Sequence, residues 1–264
     1  MSEPDPLPAP KTLSESGALV IGGSAGIGFA SARKLALAGV PRIVIVSRTA
    51  ATGEDARARL AETGAEVTWL QGDATRASEA ERIVAEAELT LGGIDILVCS
   101  TVAAAKPELF SAIPIADIQG IVTEMLMPSM QMVSAVMPRM RERRGGVIIT
   151  VASDAGKTAT PGETIIGACK AAIIMFTRTI AIEGKRDGIR ANVLTPSLVA
   201  GTASTKRIVT EGFSAKLFAR AAQEARLGVP DADDLAELVV FLAGPGAAKL
   251  TGQAISVNGG ISAA

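Results

Sequence analysis

The chain of 264 residues contains no histidine and no tyrosine, and its whole aromatic content is one tryptophan and six phenylalanines. Those two absences remove the side chains most often used to move a proton near neutral pH. Cysteine is scarce: Cys99 and Cys169 both fall inside expected core elements and read as free buried thiols, not as a disulfide. Charge of either sign is not in excess, with a formal net charge of −1 and 20% charged residues, so neither nucleic acid nor membrane is indicated as a partner. No apolar run approaches the ~20 residues of a membrane span, and the N-terminus shows no basic segment followed by an apolar stretch. The expectation is a cytoplasmic protein. No internal repeat at solenoid periods is visible. What is present is 48% hydrophobic residues, enough for a large core, in a length that suits one domain.

Residues 1–12, with Pro4, Pro6, Pro8 and Pro10, read as an extended, flexible tail. Beyond it, short apolar runs alternate with stretches of helical period, the signature of repeated βαβ units. Strands are expected at 17–22, 42–47, 66–71, 95–100, 146–152, 190–195 and 254–258. Helices are expected at 26–39, 51–63, 77–91, 115–143, 163–187 and 231–243. The fold class that follows is α/β: residues 13–264 as a single-domain, doubly wound parallel sheet of about seven strands with helices on both faces. Residues 202–228 are less regular and follow a strand's carboxyl end, where open α/β sheets place ligands, which predicts a substrate-covering lid.

The most informative segment is Gly22-Gly23-Ser24-Ala25-Gly26-Ile27-Gly28, which follows the apolar strand Ala18-Leu19-Val20-Ile21 and opens a helix through Phe29 to Leu37. Gly22 permits a tight turn, Gly26 lets backbone N–H groups approach phosphate, and Gly28 lets the helix pack close to the sheet. That geometry suits a dinucleotide.

The spacing G-x-x-x-G-x-G resembles that of the short-chain dehydrogenase/reductase family. Three later segments agree: Gly72-Asp73-Ala74-Thr75, Gly188-Ile189-Arg190-Ala191-Asn192-Val193, and Leu250-Thr251-Gly252-Gln253 through Val257-Asn258-Gly259-Gly260. The resemblance covers about residues 14 to 261 and implies a Rossmann-type fold binding a nicotinamide dinucleotide. Carried over position by position, it implies cofactor contacts from Gly22, Ser24, Gly26, Ile27, Gly28, Ser47, Arg48, Asp73, Ala74, Lys170 and Val199, with no metal. An acidic residue at the end of the second strand would favour NAD(H) through the ribose 2′-hydroxyl. Here Ser47-Arg48 stands there instead, and a hydroxyl followed by a guanidinium suits a 2′-phosphate, so NADP(H) is expected over NAD(H). The family's other frequent basic position, before the second motif glycine, is Ala25.

The resemblance breaks at the catalytic residues. Members of the family typically use Asn, Ser, Tyr and Lys, with Tyr four residues before Lys and Ser thirteen before Tyr. In this chain Lys170 and Ser153 keep that spacing and are the catalytic candidates, but Ile166 stands at the tyrosine position. Met125 aligns with the helix Asn, and Cys99-Ser100-Thr101-Val102 replaces the usual Asn-Asn-Ala-Gly. Isoleucine neither donates a proton nor stabilises an alkoxide. Lys170 can donate one if its pKa is depressed, and Ser153 can hydrogen-bond a substrate oxygen. Asp154, Glu163 and Thr164 are nearby polar residues of the kind that solvate or cap loops.

The helix at 115–143 carries Met125, Met127, Met130, Met132, Met137 and Met140, a stripe suited to core or interface packing or to a pocket for a bulky substrate. In the resembling family this helix and the one carrying Lys170 build dimer and tetramer interfaces. A homodimer or homotetramer is therefore expected, with a heteromer of two family subunits as an alternative. Two functional readings follow. In the first, the chain is an atypical NADP(H)-dependent oxidoreductase acting on a small molecule, through an activated C=C or C=N bond or a carbonyl. In the second, it is a catalytically silent subunit supporting an active partner. The run from Ser153 to Glu163 is faintly similar to members that act on CoA thioesters.

Overall fold

The computed structural model describes residues 7–203, 205–206 and 213–263. A seven-stranded sheet runs in the order β3-β2-β1-β4-β5-β6-β7, and every neighbouring pair is parallel. Its strands are β1 (Gly17–Ile21), β2 (Arg42–Ser47), β3 (Glu66–Gln71), β4 (Ile96–Cys99), β5 (Gly146–Val151), β6 (Ile189–Leu194) and β7 (Ala254–Ile255). Each coincides with an expected strand, although β7 is shorter than expected. The helices are α1 (Gly26–Leu37), α2 (Ala50–Ala61), α3 (Ala77–Leu91), α4 (Ile118–Glu142), α5 (Thr164–Gly184), α6 (Phe213–Glu224) and α7 (Ala232–Ala243).

Because side chains along a strand alternate between faces, each central strand feeds two cores. Ala18, Val20, Ile43, Ile45, Ile96 and Val98 pack on Leu35, Leu60, Leu235 and Leu242 of α1, α2 and α7. Leu19, Ile21, Val44, Val46 and Leu97 pack on Ile83, Leu91, Met132 and Val136 of α3 and α4. Strands buried on both sides need apolar residues at every position, which is why β1 is apolar and buried from end to end. The helix ends are set locally. Gly92 ends α3 in the left-handed conformation at φ 69, and Asp231 opens α7 by accepting from the amides of Asp233 and Asp234 while the Asp234 carboxylate accepts from the Asp231 amide.

Three expectations are revised. The segment 202–228 is not irregular throughout, since α6 occupies Phe213–Glu224; positions 204 and 207–212 of that segment, like residues 1–6 of the tail, lie outside the described residues. Lys11 pairs with Asp95 at 2.8 Å, which ties the end of the tail to the start of β4. Finally, Thr164–Asp187 is long and apolar enough to cross a membrane by length and composition, with a hydropathy of 1.7. The expectation that no run approaches that length overlooked it because Lys170, Arg178 and Glu183 interrupt it. One flank of this helix packs on α4 and β6, and Met175 and Ile182 are exposed on the other.

Candidate active site

The chain lays β2 and β3 to one side of β1 and β4 to β7 to the other, so the winding reverses between β1 and β4. At such a switch point the flanking loops part and leave a crevice at the carboxyl ends of the strands. A cavity of about 810 Å³ opens there. Gly22, Ser24, Gly26, Ile27, Ser47, Arg48, Asp73, Ala74, Ser153, Lys170 and Val199 all line it. Gly28 does not reach the cavity and acts from behind it.

Close packing explains the glycine turn. A Cβ on Gly28 would lie 2.2 Å from the carbonyl oxygen of Gly22, and one on Gly22, at φ +79, would lie 2.4 Å from that of Ser100. Only hydrogen fits at either place. Gly26 differs: a Cβ there would meet nothing nearer than Thr202 at 3.7 Å, because that side faces open space. The N-cap of α1 is Ala25, which offers no side-chain acceptor. Among the described residues the amides of Gly26, Ile27 and Gly28 have no protein acceptor. Unpaired N–H groups at the N-terminus of a twelve-residue helix favour an anion, and the residues present fit a dinucleotide pyrophosphate.

Along the β2 rim, Trp69 Nε1 donates to Ser47 Oγ at 3.0 Å and fixes that hydroxyl. The exposed Arg48 guanidinium has no hydrogen bond or ion pair with any described residue, while its carbonyl accepts from Gln71 Nε2 at 3.0 Å. Beneath it, Asp73 Oδ1 accepts from the Thr75 amide at 3.0 Å and hydroxyl at 2.8 Å, which holds the 72–75 turn against the cavity.

At the opposite end Ser153 caps a short turn, its Oγ accepting from the Ala155 amide at 3.2 Å, so the hydroxyl proton remains available to donate. Asp154 is buried, and its Oδ1 accepts from Ser262 Oγ at 2.5 Å, which fastens the C-terminal segment over this turn. Ile166 and Met125 both line the cavity and make this end apolar. Of the methionine stripe only Met125 does so; Met132 and Met140 are fully buried in the sheet-facing core, while Met130 and Met137 line a second cavity of about 510 Å³ beside Phe176 and Ile180 of α5. Both cysteines are free and buried, and burial pushes the Cys99 thiol up to about 12.

Two ionisable groups are displaced toward neutrality. Burial pulls the Lys170 ammonium down to about 8, against the opposing influence of Cys169 and Glu163. Burial, reinforced by the charge of Asp154, pushes the Glu163 carboxyl up to about 7 although Lys170 favours its ionised form. The expectation that Glu163 solvates or caps is corrected. Glu163 occupies the N-cap of α5 but its side chain makes no cap hydrogen bond, and it lines the cavity together with Ile166 and Lys170. Thr164 is exposed and does not line it. The signal that points to Glu163 is its spacing, one and two helical turns before Ile166 and Lys170 on the same face.

Comparison with known proteins agrees with this geometry. The family described as short chain dehydrogenase matches residues 16–212. "Dehydrogenase/reductase SDR family member 4" from Homo sapiens is 33% identical over 251 residues, covering 94% of this chain and 88% of that protein. A 3-oxoacyl-[acyl-carrier-protein] reductase from Synechocystis is 29% identical over 245 residues, covering 92% of this chain and 96% of that protein. Among solved structures, a putative short-chain alcohol dehydrogenase from Sinorhizobium meliloti superposes with a TM-score of 0.86 at 28% identity, covering 95% of this chain and 97% of that one.

Proposed function

The chain belongs to the short chain dehydrogenase family of oxidoreductases, and we propose that it is an NADP(H)-dependent member with a non-standard active site, reducing an activated C=C or C=N bond or a carbonyl of a small molecule. The observation that carries this reading is the convergence on one crevice of the unpaired amides at the start of α1, the unpartnered guanidinium of Arg48, and Lys170. The silent-subunit alternative has no observation of its own in its favour.

In this reading the α1 amides hold the pyrophosphate, and Arg48 with Ser47 holds the 2′-phosphate through charge-assisted hydrogen bonds. Asp73, Ala74 and the edge of Val199 flank the adenine and nicotinamide ends. The bound reduced nicotinamide supplies a hydride. Ser153 donates its free hydroxyl proton in a hydrogen bond to the substrate atom that gains negative charge. The Lys170 ammonium, two turns along α5, stabilises that charge, and the shielding of this end of the cavity strengthens its field. Met125 and Ile166 exclude water from the reacting end. Leu217 and Phe218 of α6 wall the cavity from the side on which a lid is expected. The apolar wall suits a bulky substrate, a thioester among them. We further read the α4 and α5 surface, with its exposed Met175 and Ile182, as the interface of a homodimer or homotetramer, and the free, buried cysteines as suited to the cytoplasm.

The test is a screen of NADPH oxidation with the purified protein against activated enones, cyclic imines and 3-oxoacyl thioesters. Turnover with any of these classes supports the reading. Failure of all three classes, under conditions where NADPH binds, would turn the assignment toward a non-catalytic subunit.

A further inference from the structure

Among the described residues, the ionisable side chains that line the main cavity sort by their partners. Arg48 and Arg220 are permanent cations with no proton to give at neutral pH. Asp73 and Asp154 accept hydrogen bonds from Thr75 and Ser262. Glu124 Oε2 on α4 accepts from the Ala104 amide at 3.1 Å, and Glu224 on α6 is ion-paired with Arg220 at 3.0 Å. Each of these four carboxyl groups is thus engaged by a partner within the protein. Glu163 and Lys170 are the titrating groups left over: neither makes a hydrogen bond or ion pair with a described residue, and both face the same space as Ile166, which lies between them on α5. The cavity contains neither histidine nor tyrosine, because the chain has none.

From this arrangement we propose that Glu163 is a catalytic residue of the site: its carboxylic acid gives the proton that completes reduction of the substrate, and the Lys170 ammonium stabilises the carboxylate left behind. The inference rests on the reading of the cavity as a nicotinamide-dependent reductase site. The substrate double bond takes a hydride from reduced nicotinamide at one atom and the Glu163 proton at the other. The Glu163 O–H bond breaks, its electron pair stays on the carboxylate, and water returns a proton before the next turnover.

Charge decides between the two candidates. If Lys170 gave the proton, a neutral amine would stand where the developing negative charge needs a cation. If Glu163 gives it, a neutral acid becomes an anion beside an ammonium, and the site remains balanced. The groups that face Glu163 are Asp154 from the turn after β5 and Lys170 from its own helix. Glu124 and the Arg220–Glu224 pair line the same cavity from α4 and α6. Burial and the nearby Asp154 keep a protonated population of Glu163 near neutrality.

Two readouts test the proposal. In the first, glutamate side-chain carboxyl carbons are isotope-labelled and followed by NMR as pH is varied, in the wild type and in Glu163→Gln. One carboxyl titrating near 7 should be present in the wild type and missing from the variant. A missing signal that titrates instead near the ordinary value of 4.5 would overturn the proposal.

The second readout is NADPH oxidation with acetoacetyl-CoA and with cyclohexenone as probes, alongside calorimetric NADPH binding and a melting curve for every variant. Glu163→Gln should bind NADPH within about twofold of the wild type. It should oxidise NADPH on the order of 100-fold more slowly, and the wild-type fall in rate that sets in near pH 7 should be gone, leaving only the fall near 8 as Lys170 loses its proton. Glu163→Asp, which keeps an acid on a shorter stem, should retain part of the rate. A Glu163→Gln rate within about threefold of the wild type would overturn the proposal, as would a wild type that binds NADPH and reduces neither probe. A wild type that binds no nucleotide would overturn the reading of the cavity on which the proposal rests.

Discussion

Ser262 Oγ donates to Asp154 Oδ1 at 2.5 Å, joining positions 108 residues apart in sequence. The bond fastens the C-terminal segment, already turned by Asn258 Nδ2 donating to the Ser262 carbonyl at 3.2 Å, onto the loop that carries Ser153. Asp154 in turn raises the Glu163 carboxyl, so the last residues of the chain help set the charge state of the reacting end. Ser262→Ala should cost about 1.5 kcal/mol, the lower end for a hydrogen bond to a charged group. In a chain of this size that is a fall of roughly 3 to 6 °C in melting temperature, measurable by calorimetry. No change in melting would show that the contact does not hold the segment.

Gly28 is constrained by backbone, which cannot yield as a side chain would. Its absent Cβ would lie 2.2 Å from the Gly22 carbonyl oxygen, so Gly28→Val must push α1 away from the turn. The expected cost is about 1 to 3 kcal/mol of stability, with NADPH affinity falling further because the α1 amides move. Calorimetric titration of the folded variant checks this, and unchanged affinity would contradict it.

Replacing Ile166 alone should not create a strong carbonyl reductase. A phenol there would still face Met125 on α4 and the 100–103 turn, which lack the family's usual polar partners. Ile166→Tyr is expected to gain at most on the order of tenfold in kcat/KM, about 1.4 kcal/mol of barrier. A gain far beyond that would show that the other departures from the family pattern do not matter.

Stability should carry the signature of the two displaced groups. Glu163 keeps its proton up to about 7 in the folded chain but only up to the ordinary 4.5 when unfolded. The folded state therefore binds the extra proton between those values, and this contribution, full below 4.5, is lost as pH rises through 7. Lys170 runs the other way: the folded chain releases its proton near 8 and the unfolded chain near 10.5, so stability gains as pH rises between them. Glu163→Gln should therefore melt higher than the wild type at about pH 8, with a margin that shrinks toward 4.5. A margin that does not vary with pH would contradict the displacement of Glu163.

Much of this architecture was legible in the sequence for a physical reason. Strands of a parallel sheet are buried on both faces, so β1, β4 and the stretches 43–46 of β2 and 147–149 of β5 appear as unbroken apolar runs. The nucleotide turn was legible because a close backbone approach excludes every residue but glycine, as at Gly22 and Gly28. Helix α6 was missed although Ser214, Leu217, Phe218 and Ala221 follow helical spacing, since Leu217, Phe218 and Ala221 line a cavity and the helix does not bury a face against the sheet. Glu163 was visible as a residue but not as a site. Its displacement depends on Asp154 and on burial by loops distant in sequence, and no local pattern records either.

The account depends most on nucleotide recognition, and Arg48 is its most exposed element. Calorimetric titration with NADPH and NADH, in the wild type and in Arg48→Ala, tests it directly. The prediction is tighter binding of NADPH by the wild type, a loss of roughly 10- to 100-fold for NADPH in the variant through the missing charge-assisted bonds, and little change for NADH. Equal binding of both nucleotides, unaffected by the substitution, would contradict the assignment of the 2′-phosphate to Arg48. Binding of neither would contradict the account as a whole.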